Sequence, residues 1–120
     1  MSEIIKEKVI LDIEYQKERA DVKSGVFEGG VDEPETLSDV TLWVDELTEF
    51  DFDKDDFKRI GDQINLAGTS SALFELGKYL IALSRYKTID PDFHVHLEDF
   101  GVASGEDRCE LLIRKLPDEK

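Results

Sequence analysis

Apolar and polar positions change rhythm several times along the chain, and each rhythm predicts an element. The dominant pattern lies between Asp62 and Arg85. Ile64 and Leu66 predict a short strand and Gly68 a turn. Leu73, Leu76, Leu80 and Leu83, spaced by three, four and three, then predict one continuous helix face. Phe74, Gly77, Tyr79 and Ile81 flank that stripe, so the helix is expected to be covered over much of its surface. Each large apolar side chain it buries contributes roughly 1.5–3 kcal/mol, which makes this unit the expected organiser of the core. Thr69, Ser70 and Ser71 stand where the helix begins and are expected to cap its free N–H groups.

Upstream, Val9, Leu11, Ile13 and Tyr15 alternate with Asp12 and Glu14, predicting a half-buried strand over residues 7–15. Lys17 to Lys23 reads as a charged connector, Gly25 to Gly30 as a turn region with a short paired segment at Val26-Phe27, and Asp32 to Glu35 as a polar linker. Residues 37–47 carry both periods. The β-branched and aromatic run Val40-Thr-Leu-Trp-Val44 favours a strand over residues 39–47. Asp53 to Ile60 reads as a short helix with acids in its first turn, where the helix dipole favours them, ended by Gly61. Phe93, Val95 and Leu97 predict a fourth strand, and Cys109, Leu111 and Ile113 a fifth. The sum is a single α+β domain over residues 1–120 in the order β-β-(short α)-β-α-β-β. One mostly antiparallel sheet of about five strands packs against one long helix. Residues 1–61 form an acidic N-terminal half, 62–116 a strand-helix-strand-strand core, and 117–120 a frayed tail.

Charge changes the picture more than composition does. The chain holds 29 acids and 15 bases, a net −14. A field of that sign repels nucleic acid and anionic lipid and attracts basic proteins or cations, so neither nucleic acid nor membrane is an expected partner. No segment reaches the roughly 20 apolar residues of a membrane span, and the N-terminus carries no apolar run resembling a signal peptide. Cys109, the lone cysteine, has no partner for an internal disulfide. These features predict a cytoplasmic protein.

Residues 28–56 contain twelve acids and one base, −11 of the −14. Glu28, Asp32, Glu33, Glu35 and Asp39 lead into a denser run: Asp45, Glu46, Glu49, Asp51, Asp53, Asp55 and Asp56. Such a run is either a solvated surface or a docking surface for a basic partner, whose lysines and arginines would relieve the self-repulsion. Trp43, Phe50 and Phe52 lie among these acids as core residues or as exposed anchors; Trp43 and Phe50 are the anchor candidates. Asp51-x-Asp53-x-Asp55 begins like a calcium loop, but Asp56, Lys58 and Asp62 occupy positions where that loop takes glycine, an apolar residue and glutamate. His94, His96 and Glu98 would share one face of a strand, and two imidazoles with a carboxylate can ligate zinc or iron. Against that stands a plain strand surface, which is the expected reading; no cofactor is expected. Cys109 reads as core, and no glycine-rich phosphate loop is present.

Ile64-x-Leu66-x-Gly68, Leu73-x-x-Leu76 with Leu80, His94-x-His96-Leu97 and Glu110-Leu-Leu-Ile113 together resemble small bacterial immunity proteins. These are the antidotes of polymorphic toxin and contact-dependent inhibition systems. The resemblance spans about residues 62–115 and leaves residues 1–60 outside it. It implies a non-enzymatic protein that binds and occludes a toxin domain in the cytoplasm, and it carries no catalytic residues onto this sequence. Two other classes remain open: a metal-binding module or metal-dependent enzyme using His94, His96 and Glu98, and a structural or regulatory homodimer.

Overall fold

The computed structural model describes residues 2–21 and 23–116; the expected frayed tail, 117–120, lies outside them. The architecture is α+β, with one long helix and antiparallel strand pairs. Strand β1 (Gln16–Asp21) pairs with β2 (Val26–Gly30), β3 (Val40–Asp51) with β4 (Asp56–Gly68), and β5 (His94–Leu97) with β6 (Leu111–Arg114). A 3₁₀ turn, Leu37–Asp39, leads into β3, and helix α1 (Ser70–Arg85) follows β4.

Among the described residues the expected five-stranded sheet is replaced by three two-stranded sheets. Each strand finds its partner next along the chain, so the ladders close locally and side-chain packing joins them. One parallel bridge, Thr41 to Gly101, links β3 to the loop after β5, with Gly101 N–H donating to the Val40 carbonyl at 2.8 Å. A Cβ at Gly101 would stand 2.9 Å from the Ser38 carbonyl oxygen, so glycine is what permits that approach.

Three local expectations fail for identifiable reasons. Residues 7–15 form no strand; Leu11 and Ile13 are half-buried but no neighbouring strand runs beside them to make a ladder. The charged run Gln16–Asp21 pairs instead, because Asp21 builds a turn. Its carboxylate accepts from Lys23 N–H at 3.1 Å and Ser24 N–H at 3.4 Å, and Gly25 takes φ +71°. Asp53 to Ile60 is no helix but the end of one hairpin and the start of β4, since the same turn chemistry recurs at Asp51.

The helix stripe is also rotated from expectation. Ala72, Leu76, Tyr79, Leu83 and, past the helix end, Tyr86 are buried, whereas Leu73, Phe74, Leu80 and Ile81 are exposed. The buried set repeats at four, three, four and three, a true 3.6-residue face. Its four helical members pack with Leu37, Val40, Leu42, Leu97 and Phe100, while Tyr86 meets the rings of Tyr15 and Phe93. Thr69 caps α1 as expected, its hydroxyl accepting from Ala72 N–H at 3.2 Å. At the other end the Lys115 ammonium donates to the carbonyls of Ser84 and Tyr86, placing positive charge at the negative pole of the helix.

Only the root of the β3–β4 hairpin enters this core, through Val40 and Leu42. The nine residues from Trp43 to Asp51 extend about 30 Å beyond it, at the usual rise per strand residue. The molecule has extents of 60 × 41 × 35 Å and a radius of gyration of 19.1 Å. A compact chain of this length would have about 13.6 Å. Among the described residues, no helix is long and apolar enough to cross a membrane.

Candidate functional site

The arm carries the densest acidic run. Its ladder extends from Val40 opposite Gly68 to Asp51 opposite Asp56, with a register shift after Leu47 that leaves Ile60 unpaired. Opposed residues share a face. One face therefore presents Val44, Glu46, Thr48 and Phe50 with Ile64, Asp62, Arg59 and Phe57. The other presents Trp43, Asp45, Leu47, Glu49 and Asp51 with Asn65, Gln63, Gly61, Lys58 and Asp56.

The seven predicted acids thus gather on one projection without lying on one face. Asp45, Glu49, Asp51 and Asp56 occupy one side, Glu46 the other, and Asp53 and Asp55 the tip. The pleat imposes this division, because neighbours in a strand point opposite ways. Two like-charged pairs stand directly across the ladder, Asp51 with Asp56 and Glu46 with Asp62. Such pairs destabilise a hairpin. Arg59 answers the second, donating to Asp62 at 2.6 Å. The bonded Asp62 holds this guanidinium above its ordinary pKa, and Glu46 adds to the effect.

The calcium-like spacing at the tip serves the turn. The Asp51 carboxylate accepts from Asp53 N–H at 3.0 Å and Lys54 N–H at 3.4 Å, and Asp55 takes φ +53°, a region that aspartate tolerates. Neither Trp43 nor Phe50 belongs to the buried core; both are half-buried on the arm. Trp43 donates its indole N–H to the Asp45 carboxylate at 3.1 Å, and Asn65 donates to the same oxygen from the opposite strand at 3.1 Å. Phe50 meets Phe52 and Phe57 edge-on, with ring centroids 4.9 and 5.3 Å apart. Phe52 is 87 % exposed and Phe57 65 %, so the end of the arm offers aromatic rings to solvent beside its carboxylates. Phe57 escaped the sequence reading because it fell in the supposed helix; only the pairing with Phe50 reveals it.

The histidines lie elsewhere, on the β5–β6 hairpin. Val95, Leu97, Leu111 and Ile113 turn inward to pack on the core, which sends His94, His96, Leu112 and Arg114 outward. Both imidazoles share the solvent face as expected, with ring centroids 4.9 Å apart. His96 Nδ1 contacts the Glu110 carboxylate, and His94 Nδ1 lies 2.7 Å from the Asp92 carbonyl oxygen. A ligand atom from each of His96, Glu98 and Glu110 falls within 4.8 Å of the others. Sequence reasoning grouped His94, His96 and Glu98; the structure brings in Glu110 and leaves His94 beside the group. Cys109 packs against the core from the inward side.

A cleft of about 660 Å³ runs between residues 12–14, residues 31–36 and the helix side of Glu75, Lys78 and Tyr79. The Tyr79 hydroxyl is buried without a hydrogen-bond partner among the described residues, and burial together with the nearby Glu33 charge pushes its pKa up to about 12. Compared with protein-family models, with curated proteins and with solved structures, the chain finds no match.

Proposed function

We propose that this chain is a non-enzymatic binding protein, an immunity protein that holds a basic toxin domain in the cytoplasm. One observation carries the reading: carboxylates and uncovered aromatic rings occur together at the end of an arm that contributes almost nothing to the core. The arm maintains like charges opposite one another at a cost in stability, and a cationic partner would remove that cost. Toxins that cut nucleic acid present basic clefts, and a two-stranded acidic ribbon enters such a cleft in place of phosphate. Because both faces of the ribbon carry carboxylates, both walls of the cleft can engage it. Phe50, Phe52 and Phe57 supply the apolar contact that charge alone lacks.

A surplus of exposed surface accompanies this shape, shared between the arm and the exposed residues 2–10. The chain exposes 10027 Å², against about 6,600 Å² for a compact monomer of its mass. The surplus is several times the roughly 800 Å² that one partner contributes to a standard interface.

The test is to express any toxin domain encoded by the reading frames next to this gene and to measure its association by stopped flow across a salt series. Reversing Glu49, Asp53 and Asp55 to lysine should slow association at least tenfold and flatten its salt dependence. Unchanged kinetics would remove the arm from the interface, and failure of the wild type to protect cells that express the toxin would sink the immunity reading.

A further inference from the structure

We propose that His96, Glu98 and Glu110 form a site for one divalent transition ion, with zinc the best match to the donor set. The site does not involve the acidic arm and is independent of the binding role. It is built by strand geometry. The inward packing of Val95, Leu97, Leu111 and Ile113 fixes which way the hairpin faces, so His96 and, two residues on, Glu98 project to solvent together. The register sets His96 opposite Leu112. Continued by two residues, it sets Glu98 opposite Glu110, with His96 on the diagonal to Glu110.

Three observations point to an ion. First, the donor atoms converge, each within 4.8 Å of the other two, a spacing that one cation can span with small rotamer adjustments. Second, Glu98 and Glu110 bring two carboxylates together just past the last ladder pair, Leu97 with Leu111, and the His96 imidazole already lies against Glu110 there. Arg108 borders the same cleft, yet its guanidinium donates to the backbone carbonyl of Glu98 at 3.2 Å. Third, a second imidazole stands beside the group in a suitable orientation. A carbonyl oxygen can only accept, so in the 2.7 Å contact with Asp92 it is Nδ1 of His94 that donates, which leaves Nε2 outside that bond as the nitrogen a metal would use. Anchoring of one ring nitrogen by a carbonyl is the common outer support of metal-binding histidines.

One imidazole nitrogen and two carboxylates favour zinc and its neighbours over calcium or magnesium, which take oxygen donors alone. Water completes the coordination, since all three residues are exposed. The ion would tie β5 to β6 at the end of their ladder and neutralise two charges on a strongly acidic chain.

The experiment uses the full chain stripped with chelator, titrated with zinc chloride by calorimetry and with cobalt chloride by visible absorption. One ion per chain should bind at micromolar or lower Kd, and millimolar calcium should not displace it. His96→Gln and Glu110→Gln should each weaken binding at least tenfold, with circular dichroism confirming that these surface variants stay folded. The triple variant Asp51→Asn, Asp53→Asn, Asp55→Asn should keep the wild-type Kd. No saturable binding would overturn the proposal. So would equal binding by wild type and His96→Gln, or loss of binding in the arm variant, which would assign the ion to adventitious carboxylates.

Discussion

Cutting the arm away should leave a folded molecule that no longer binds its partner. Val44 and Ile64 are cross-strand neighbours, so residues 45–63 can be replaced by Asn-Gly, the two-residue connection that suits a hairpin. None of the nineteen deleted residues is buried, and the deletion takes the net charge from −14 to −9. Ordering them costs backbone entropy that the ladder hydrogen bonds and cross-strand contacts do little more than offset. An isolated two-stranded hairpin is marginal in water for this reason. The arm's net contribution is therefore near zero, and its loss should change stability by about 1 kcal/mol in either direction. That corresponds to roughly 4–8 °C in Tm for a domain of this size. Urea denaturation followed by far-ultraviolet circular dichroism measures it. A loss above about 3 kcal/mol would refute the reasoning, since it would show that the arm is packed against something in solution. A stable variant with undiminished partner affinity would refute the docking role instead.

Two further outcomes follow from the core. Leu76→Ala should cost about 3 kcal/mol, the transfer of a fully buried leucine plus a cavity, whereas Leu80→Ala should cost about 1 kcal/mol or less, its side chain being 46 % exposed. Equal losses in urea titrations would mean that the outer face of α1 is covered in solution. Glu18 anchors β1 to the segment after α1, and its pKa is held below 4.5 by the backbone N–H of Ile89, 2.9 Å away, and then by the hydroxyls of Thr88 and Tyr86. The folded pKa being the lower one, this contribution is present above the unfolded value and vanishes as pH falls through the folded one. Glu18→Gln should accordingly flatten the acid limb of stability below about pH 4.5 and accelerate exchange of the Ile89 amide; an unchanged acid limb would exclude the anchor.

What could be read from the sequence divides along a physical line. Val40 to Leu42, the helix with its Thr69 cap, and Phe93 to Leu97 were legible because local propensity and burial agree there, whereas Val44, Ile64 and Leu66 were legible from β-propensity alone, all three being exposed. The helix face was misread for a specific reason. Leu73 and Leu80 are as apolar as Leu76 and Leu83, and only Ala72 and Tyr79, less conspicuous by hydropathy, mark the side that is buried. Pairing was the least legible property. Asp53 to Ile60 carries helix-favouring acids, and its fate was decided by the turn at Asp51 and by Phe50 meeting Phe57. Glu110 joined His96 for the same reason, since a strand's neighbour is not written in the strand. Strand alternation at residues 7–15 predicted burial of Leu11 and Ile13 but could not supply a partner.

The two uncommon features of this fold point the same way. Three small sheets bury few residues each, and the longest of them spends most of its length outside the core. A chain selected for stability alone would shorten β3 and β4 and neutralise Asp51 or Asp56, since each change removes a cost without loss of packing. The proposed docking role supplies a reason for keeping a long arm with opposed carboxylates, since those groups would meet compensating charge in the working state. Phe52 and Phe57 strengthen the point, because exposed rings beside carboxylates gain nothing in the free chain and gain burial when a partner closes over them. Under the proposed function the arm is one half of an interface whose other half is basic.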